Sequence, residues 1–235
     1  MKTVMNIAID GPAGAGKSTI AKRIAKEMSY IYVDTGAMYR AMAIYLLRCG
    51  ITTEMAGEEK GGIAKEFEDA VSEKCKDAKI TIEYQNGEQI VLLDGENVNS
   101  LLRTEEVSQM ASISSTVKAV REKLVELQQE LAKTTSVVMD GRDICTVVLP
   151  DAQVKVYLTA SVEERARRRC NEYKEKGIEA DKKQIEAEIA ERDHRDMTRE
   201  NSPLRQAEDA VLVDSTNMTI DEVVEAILQL ARAQE

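Results

Sequence analysis

Gly11-Pro12-Ala13-Gly14-Ala15-Gly16-Lys17-Ser18 is the stretch from which the rest of the chain can be read. The run before it, Val4-Met5-Asn6-Ile7-Ala8-Ile9, is short, apolar and rich in branched residues, which predicts a buried strand. After it, Ile20, Ile24 and Met28 recur at helical spacing and predict a helix over Ser18 to Met28. Between the two, the octet fits G-x-x-x-x-G-K-[ST]. Its glycines let successive backbone N–H groups turn inward round a phosphate, and the positive end of the next helix points to the same place. Lys17 can reach the β- and γ-phosphates, while the Ser18 hydroxyl can ligate Mg²⁺. A glycine-rich turn formed by chance has no reason to sit between a strand and a helix. The octet therefore points to a bound nucleoside triphosphate.

Outward from the octet, Tyr30-Ile31-Tyr32-Val33 reads as a second strand and Met38 to Leu47 as a second helix. Strand and helix alternating in one run argue for an α/β protein with a parallel sheet covered on both faces. The middle changes character. Glu58 to Cys75 is charged and helical, and Asn86-Gly87 then separates two strand-like runs, Lys79 to Tyr84 and Gln89 to Leu93. Asn-Gly in that position is a hairpin signal, because both turn residues need positive φ. Asp94-Gly95 turns the chain into a short third strand, Glu96 to Val98. This small antiparallel unit is an insertion, roughly residues 56–102. Thr104 to Lys133 reads as helix with a break near Ser112 to Thr116, followed by buried strands at Ser136 to Met139 and Gln153 to Leu158. Ser161 to Arg199 is long, charged and helical with a break at Gly177. Ala210 to Val213 is the last strand and Ile220 to Ala233 an amphipathic closing helix.

Composition removes whole classes of function. At 235 residues the chain is one large domain, or a core with one or two insertions. Hydrophobic residues at 43% and charged residues at 31% suit a packed, soluble protein rather than a disordered one. The net charge of -10 and the 3% aromatic content argue against a nucleic-acid partner, which needs a basic surface and stacking rings. The longest charge-free run, Val107 to Val117, is 11 residues and too short to span a bilayer. Asp10 interrupts the N-terminal apolar run, so no secretory signal is expected and the location predicted is the cytoplasm. Cys49, Cys75, Cys145 and Cys170 are scattered, which predicts reduced thiols rather than a zinc site or disulfide framework. His194 is the only histidine, and no hydrolase or metalloprotease motif surrounds it.

A phosphate loop leaves the second ligand open, since GTPases, motor ATPases and small-molecule kinases share it. There is no Asn-Lys-x-Asp guanine-reading motif. Asp34-Thr35-Gly36-Ala37-Met38-Tyr39-Arg40 follows the second strand directly, and the carboxyl end of a parallel strand is where a second ligand sits. Arg40 offers a forked, permanent cation to an anionic acceptor, although alone it would be an ordinary surface helix residue.

With these residues in view, the sequence resembles the bacterial-type cytidylate kinases, a branch of the nucleoside monophosphate kinases. The resemblance runs essentially end to end. It rests on Ile9 to Thr19, Asp34 to Arg40, Leu102 to Val107, Asp140-Gly141-Arg142-Asp143, Thr146-Val147-Val148 and Pro150-Asp151-Ala152. Glu191 to Asp196, Asp209-Ala210 and Asp214-Ser215-Thr216 complete it. It implies a P-loop kinase core with a parallel sheet (residues 1–55, 103–160 and 203–235), an inserted monophosphate-binding unit (56–102) and a helical lid (161–202). The implied reaction moves the γ-phosphoryl of ATP, bound with Mg²⁺, to CMP or dCMP in pyrimidine nucleotide metabolism. Gly11, Pro12, Ala13, Gly14, Ala15, Gly16, Lys17, Ser18 and Thr19 would hold ATP. Thr35, Arg40, Arg121, Arg142 and Arg199 would hold the acceptor phosphate. Ser112, Arg192 and Asp196 would read cytosine, and Asp143 would meet the sugar or organise the arginines. Cys145 departs from the pattern, standing where the family usually has glycine, which puts the local backbone geometry in question.

The residue types suit that reaction. Phosphoryl transfer spreads charge over oxygens, so catalysis is mainly positioning and cations, here Lys17, Arg142 and Arg199. A monophosphate acceptor has a second pKa of about 6, so no strong base is needed. Cytosine offers an amine donor and a ring acceptor. Asp196 can accept from the first and Arg192 can donate to the second, whereas uracil reverses both. Arg192 and Arg199 are seven apart and share one face if their helix continues. Arg165, Arg167, Arg168 and Arg169 cannot all face one ligand; Arg165 and Arg168 are the candidates to reach ATP and the others are surface. Asp140 suits either a second Mg²⁺ contact, through water, or a pairing with an arginine. Tyr39 reads as packing. The alternatives are a P-loop kinase with another acceptor (UMP, AMP or shikimate) or a non-catalytic nucleotide-binding regulator. A monomer is expected.

Overall fold

Ile7–Asp10 forms β1, and all four of its residues are buried, as a strand covered on both faces requires. The structure is a computed structural model describing residues 4–57, 63–85, 88–175 and 177–234. Around β1 stand β2 (Ile31–Asp34), β6 (Val137–Gly141), β7 (Val154–Thr159) and β8 (Val211–Asp214), in the order β2-β6-β1-β7-β8. β1 pairs in parallel with β6 and β7, and β7 with β8. Register sets Ile9 opposite both Asp140 and Val156; β1 and β6 end together at Asp10 and Gly141, while β7 runs two residues further, to Thr159. The strand order runs outward in both directions from β1, and such a switch point opens a crevice for ligands.

Two helices cover one face of this sheet, α1 (Lys17–Met28) and α8 (Ile220–Arg232). Ile20 and Ile24 from α1, with Val223, Val224, Ile227 and Leu228 from α8, bury against Ile7, Ile9, Val156 and Leu158. Each such side chain contributes about 1.5–3 kcal/mol when fully buried, so packing rather than propensity holds the helices. A Thr219–Glu222 capping box starts α8. Beyond β7 come α6 (Val162–Glu175) and α7 (Lys182–Thr198), with Gly177 at φ +71 between them.

The chain divides into two compact units, Met1–Val33 with Leu131–Glu235, and Asp34–Glu130. The second contains α2 (Thr35–Arg48), α3 (Lys65–Lys74), the antiparallel strands β3 (Ile80–Gln85), β4 (Glu88–Leu93) and β5 (Glu96–Asn97), then α4 (Glu105–Ser114) and α5 (Lys118–Thr134) up to Glu130. It is wider than the 56–102 insertion expected from sequence. Met38, Met42 and Leu46 on α2 and Met110 on α4 are fully buried within it, so these helices are part of its core. The segment 161–202 lies wholly in the first unit. The strands of the expected hairpin pair with Gln85 opposite Glu88, while Asn86-Gly87 lies outside the described residues. So does the start of the helix expected from Glu58. No helix among the described residues is long and apolar enough to cross a membrane.

Two boundaries differ in a way that matters for chemistry. α2 begins at Thr35 rather than Met38, because the Asp34 carboxylate accepts from the Ala37 N–H and caps it. β6 extends to Gly141, which puts Asp140 inside the strand.

Candidate active site

In the first unit, the octet folds as its glycines demand. A Cβ at Gly11, where φ is +151, would lie 1.9 Å from the Leu158 carbonyl oxygen, so only glycine fits. Gly16 caps α1 at φ +87 with no side-chain acceptor, an arrangement that suits an anion at the start of the helix. Lys17 is buried, and its Nζ donates to the Pro12 carbonyl at 2.7 Å. Burial lowers its pKa, and the charge of Arg142 lowers it further, against the pull of Asp140 and Asp10. The loop is braced from α6. Arg165 donates to the carbonyls of Ala13 and Ala160, both at 2.9 Å, and its third nitrogen pairs with Asp193 at 2.7 Å. Arg168 donates to the Ser215 carbonyl at 2.7 Å and pairs with Glu164 at 2.8 Å. Arg167 is a surface pair with the same Glu164, and Arg169 lies over the Tyr173 ring.

Ser18 and Thr19 are exposed at the start of α1. The Ser18 hydroxyl donates to Asp140 Oδ2 at 2.9 Å, and the Tyr32 hydroxyl donates to Asp140 Oδ1 at 2.8 Å. A hydroxyl beside a carboxylate is a hard-oxygen pair that suits Mg²⁺, which keeps most of its coordination for water and phosphate. Among the described residues there is no cluster of three or more His, Cys, Asp or Glu that could hold a metal ion.

The turn after β6 meets the end of α7 in two crossed ion pairs. Arg142 Nε donates to Asp196 Oδ2 at 2.7 Å, and Arg199 Nη2 stands 4.0 Å from Asp143 Oδ1. Burial alone would raise the Asp196 pKa. Arg142, by its charge and hydrogen bond, with Arg192 and Arg199 behind it, holds it below the usual carboxylate value. Arg199 follows the last residue of α7 and also donates to the Ser202 carbonyl at 2.8 Å. Arg192 is exposed on α7, close enough for its charge to act on Lys17. The same turn is pinned from below by Asp10, whose carboxylate accepts from the N–H groups of Ile144 and Cys145, each at 2.8 Å. Cys145 sits in a π-helical turn, Ile144–Val148, and is not among the described non-glycine residues at positive φ. The strain expected from replacing glycine is therefore absent there; its thiol donates toward the Ala8 carbonyl.

In the second unit, Thr35 is buried at the first residue of α2. Arg40 lies one turn on, and a Cβ at Gly36 would stand 3.0 Å from its Nη1 and 3.2 Å from Asp34 Oδ1. Glycine there leaves room for the guanidinium. Arg121 is buried on α5; it donates to the Ser115 carbonyl and stacks 5.6 Å from the Tyr39 ring centre. Ser112 is half-buried on α4.

Four residues with positioning contacts escaped sequence reasoning. Tyr32, Asp10 and Gln89 act on polar groups far along the chain, and Asp193 pairs with Arg165 across 28 positions. Only Tyr32 left a signal, since it stands two residues before Asp34 on the same strand.

Residues 7–233 match the family model described as cytidylate kinase. A cytidylate kinase from Caldicellulosiruptor saccharolyticus is 52% identical over 226 residues, covering 96% of this chain and 95% of that protein. One from Bacillus cereus is 49% identical over 228 residues, with 96% and 95% covered. Among solved structures, an uncharacterized protein from Eubacterium ventriosum aligns at a TM-score of 0.51 and 12% identity, over 98% of this chain and 99% of its own. That likeness bears on the fold alone.

Proposed function

The chain belongs to the cytidylate kinase family, and on that premise we propose that it transfers the γ-phosphoryl of ATP to CMP and dCMP, giving CDP or dCDP and ADP. An acceptor phosphate oxygen forms the new bond to the γ-phosphorus as the bond to the β–γ bridging oxygen breaks. The observation that carries the proposal is the phosphate loop with Lys17 buried and Ser18 on Asp140, in a chain that fits the family from residue 7 to 233.

Gly11 to Thr19 wrap the phosphates of ATP, with Lys17 on the β- and γ-oxygens. The chemistry Mg²⁺ supplies when bound is neutralisation of the developing charge on those oxygens. Ser18 would hold it, with its hydroxyl supported by Asp140. Arg165 and Arg168, each with all three guanidinium nitrogens committed to protein acceptors, brace the loop that takes the donor. Thr35, Arg40 and Arg121 bind acceptor phosphate in the second unit, and Arg142 and Arg199 do so in the first. Ser112, Arg192 and Asp196 read the base. Arg142 occupies one oxygen of Asp196, and the other remains an acceptor position for the cytosine amine. Asp143, paired with Arg199, organises an arginine. By the same proposal the protein works as a cytoplasmic monomer without nucleic-acid or membrane partners. Its four free cysteines suit a reducing compartment, and its charge of -10 suits small anionic substrates met only at a local cationic site.

The test is ADP production from Mg·ATP with CMP, dCMP, UMP, AMP and shikimate as separate acceptors. Turnover is expected on CMP and dCMP, with kcat/KM for UMP lower by about a hundredfold or more, because uracil leaves Arg192 and Asp196 wrongly paired. Comparable rates with UMP would overturn the base contacts. Turnover on AMP or shikimate alone would change the acceptor, and nucleotide binding without any turnover would make the protein a regulator.

A further inference from the structure

Asp140 is held from two sides, and only one of them is expected of a phosphate loop. A serine hydroxyl has one proton and two lone-pair positions. To ligate a cation it must present a lone pair, so its proton needs another acceptor. Asp140 Oδ2 is that acceptor, at 2.9 Å from Ser18 Oγ. The terminal torsion of an aspartate is soft, however, and nothing in the Ser18 contact alone fixes the carboxylate. The Tyr32 hydroxyl, 2.8 Å from Oδ1, supplies the second point that does.

Tyr32 is itself held in place. It lies on β2, half-buried against the core under α1. Its ring sits 5.5 Å from Lys22 Nζ, and Lys22 is one turn beyond Ser18 on α1. The contacts therefore close on themselves, from Ser18 to Asp140, to Tyr32, to Lys22 and back along the helix to Ser18. We propose that Tyr32 is a positioning residue for the metal site. By fixing the Asp140 carboxylate it directs the Ser18 proton to Oδ2 and leaves the Ser18 lone pairs for the Mg²⁺ that accompanies ATP. This rests on the kinase assignment above, and it concerns a residue that never touches nucleotide or metal.

Tyr32→Phe deletes one oxygen and keeps the ring, its packing and its contact with Lys22. The measurement is Mn²⁺ affinity in the ternary complex with a non-hydrolysable ATP analogue, read from the electron paramagnetic resonance of free Mn²⁺. Affinity for the analogue alone, in EDTA, is measured beside it. Partners behind a metal ligand are worth about tenfold or more in metal affinity, so Tyr32→Phe is expected to bind Mn²⁺ about tenfold more weakly. Its affinity for the analogue in EDTA is expected to stay at the wild-type value. Wild-type Mn²⁺ affinity in Tyr32→Phe, while Asp140→Asn weakens it, would overturn the proposal. So would equal losses with and without metal, which would make Tyr32 structural. If the wild-type protein held Mn²⁺ no tighter than the analogue does by itself, the metal site as a whole would fall, and Tyr32's role with it.

Discussion

Asp10 shows how one buried carboxyl can set a turn of the candidate site and cost stability in doing so. Its two hydrogen bonds, to the N–H groups of Ile144 and Cys145, fix the backbone just after Arg142 and Asp143. Burial pushes its pKa up from 3.8 to about 6 despite those bonds, and the charge of Asp143 adds to the rise. Between those two values the folded protein binds more protons than the unfolded chain, so this group's contribution to stability falls as pH rises. The shift corresponds to about 3 kcal/mol, present below pH 4 and lost by pH 7. Asp10→Asn keeps one acceptor and cannot titrate. Urea unfolding of both proteins across that range should show the variant gaining about 3 kcal/mol on the wild type between pH 4 and pH 7. Parallel curves would mean that Asp10 ionises at its ordinary value. The identities of Lys17, Ser18 and Arg142 were legible because each lies in a local motif. Asp10's role was not, since its partners are more than 130 positions away.

Among the elements, β4 is tied down by side chains that imitate neighbouring strands. The Gln89 carboxamide accepts from the Asp34 N–H at 2.8 Å and donates to the Asp34 carbonyl at 3.2 Å. Asn99 treats β4 the same way, accepting from Val91 N–H at 2.9 Å and donating to the Gln89 carbonyl at 2.8 Å. Asp34 is the cap of α2, whose first two turns carry Thr35 and Arg40, so the sheet anchors the helix that presents them. Gln89→Ala removes two partly buried hydrogen bonds and should cost about 1–3 kcal/mol. In steady-state kinetics it should raise the KM for CMP severalfold while the KM for ATP stays unchanged. An unaltered CMP KM would show that α2 holds its own geometry. Hairpin, helix and break were all visible in the sequence as periodicity and turn chemistry. The early start of α2 was not, because Asp34 reads equally well as a strand end or a cap. Its capping contact spans only three residues, but the Gln89 anchor spans 55.

At the scale of the molecule, the order of strands and helices followed from alternation of apolar runs, and the small antiparallel sheet from the switch to hairpin signals. The division into two compact units was not visible in the sequence. α2 and α4 look like core helices in sequence, yet their buried methionines belong to the unit Asp34–Glu130. Each unit has buried apolar side chains of its own, and that division has a thermodynamic consequence. ATP held by the phosphate loop stabilises only those states in which the first unit is folded. A ligand at about 100 times its Kd adds about 2.7 kcal/mol, which slows exchange through unfolding of that unit by about a hundredfold. Native-state hydrogen exchange, with a non-hydrolysable ATP analogue at that concentration, should therefore protect the amides of β1, β6 and β7 by this factor. The amides of β3 and β4 belong to the other unit, whose separate opening the analogue does not suppress, and they should be protected much less. Equal protection in both groups would mean that the whole chain opens as one cooperative body, with the boundary at Asp34 marking geometry and not energy.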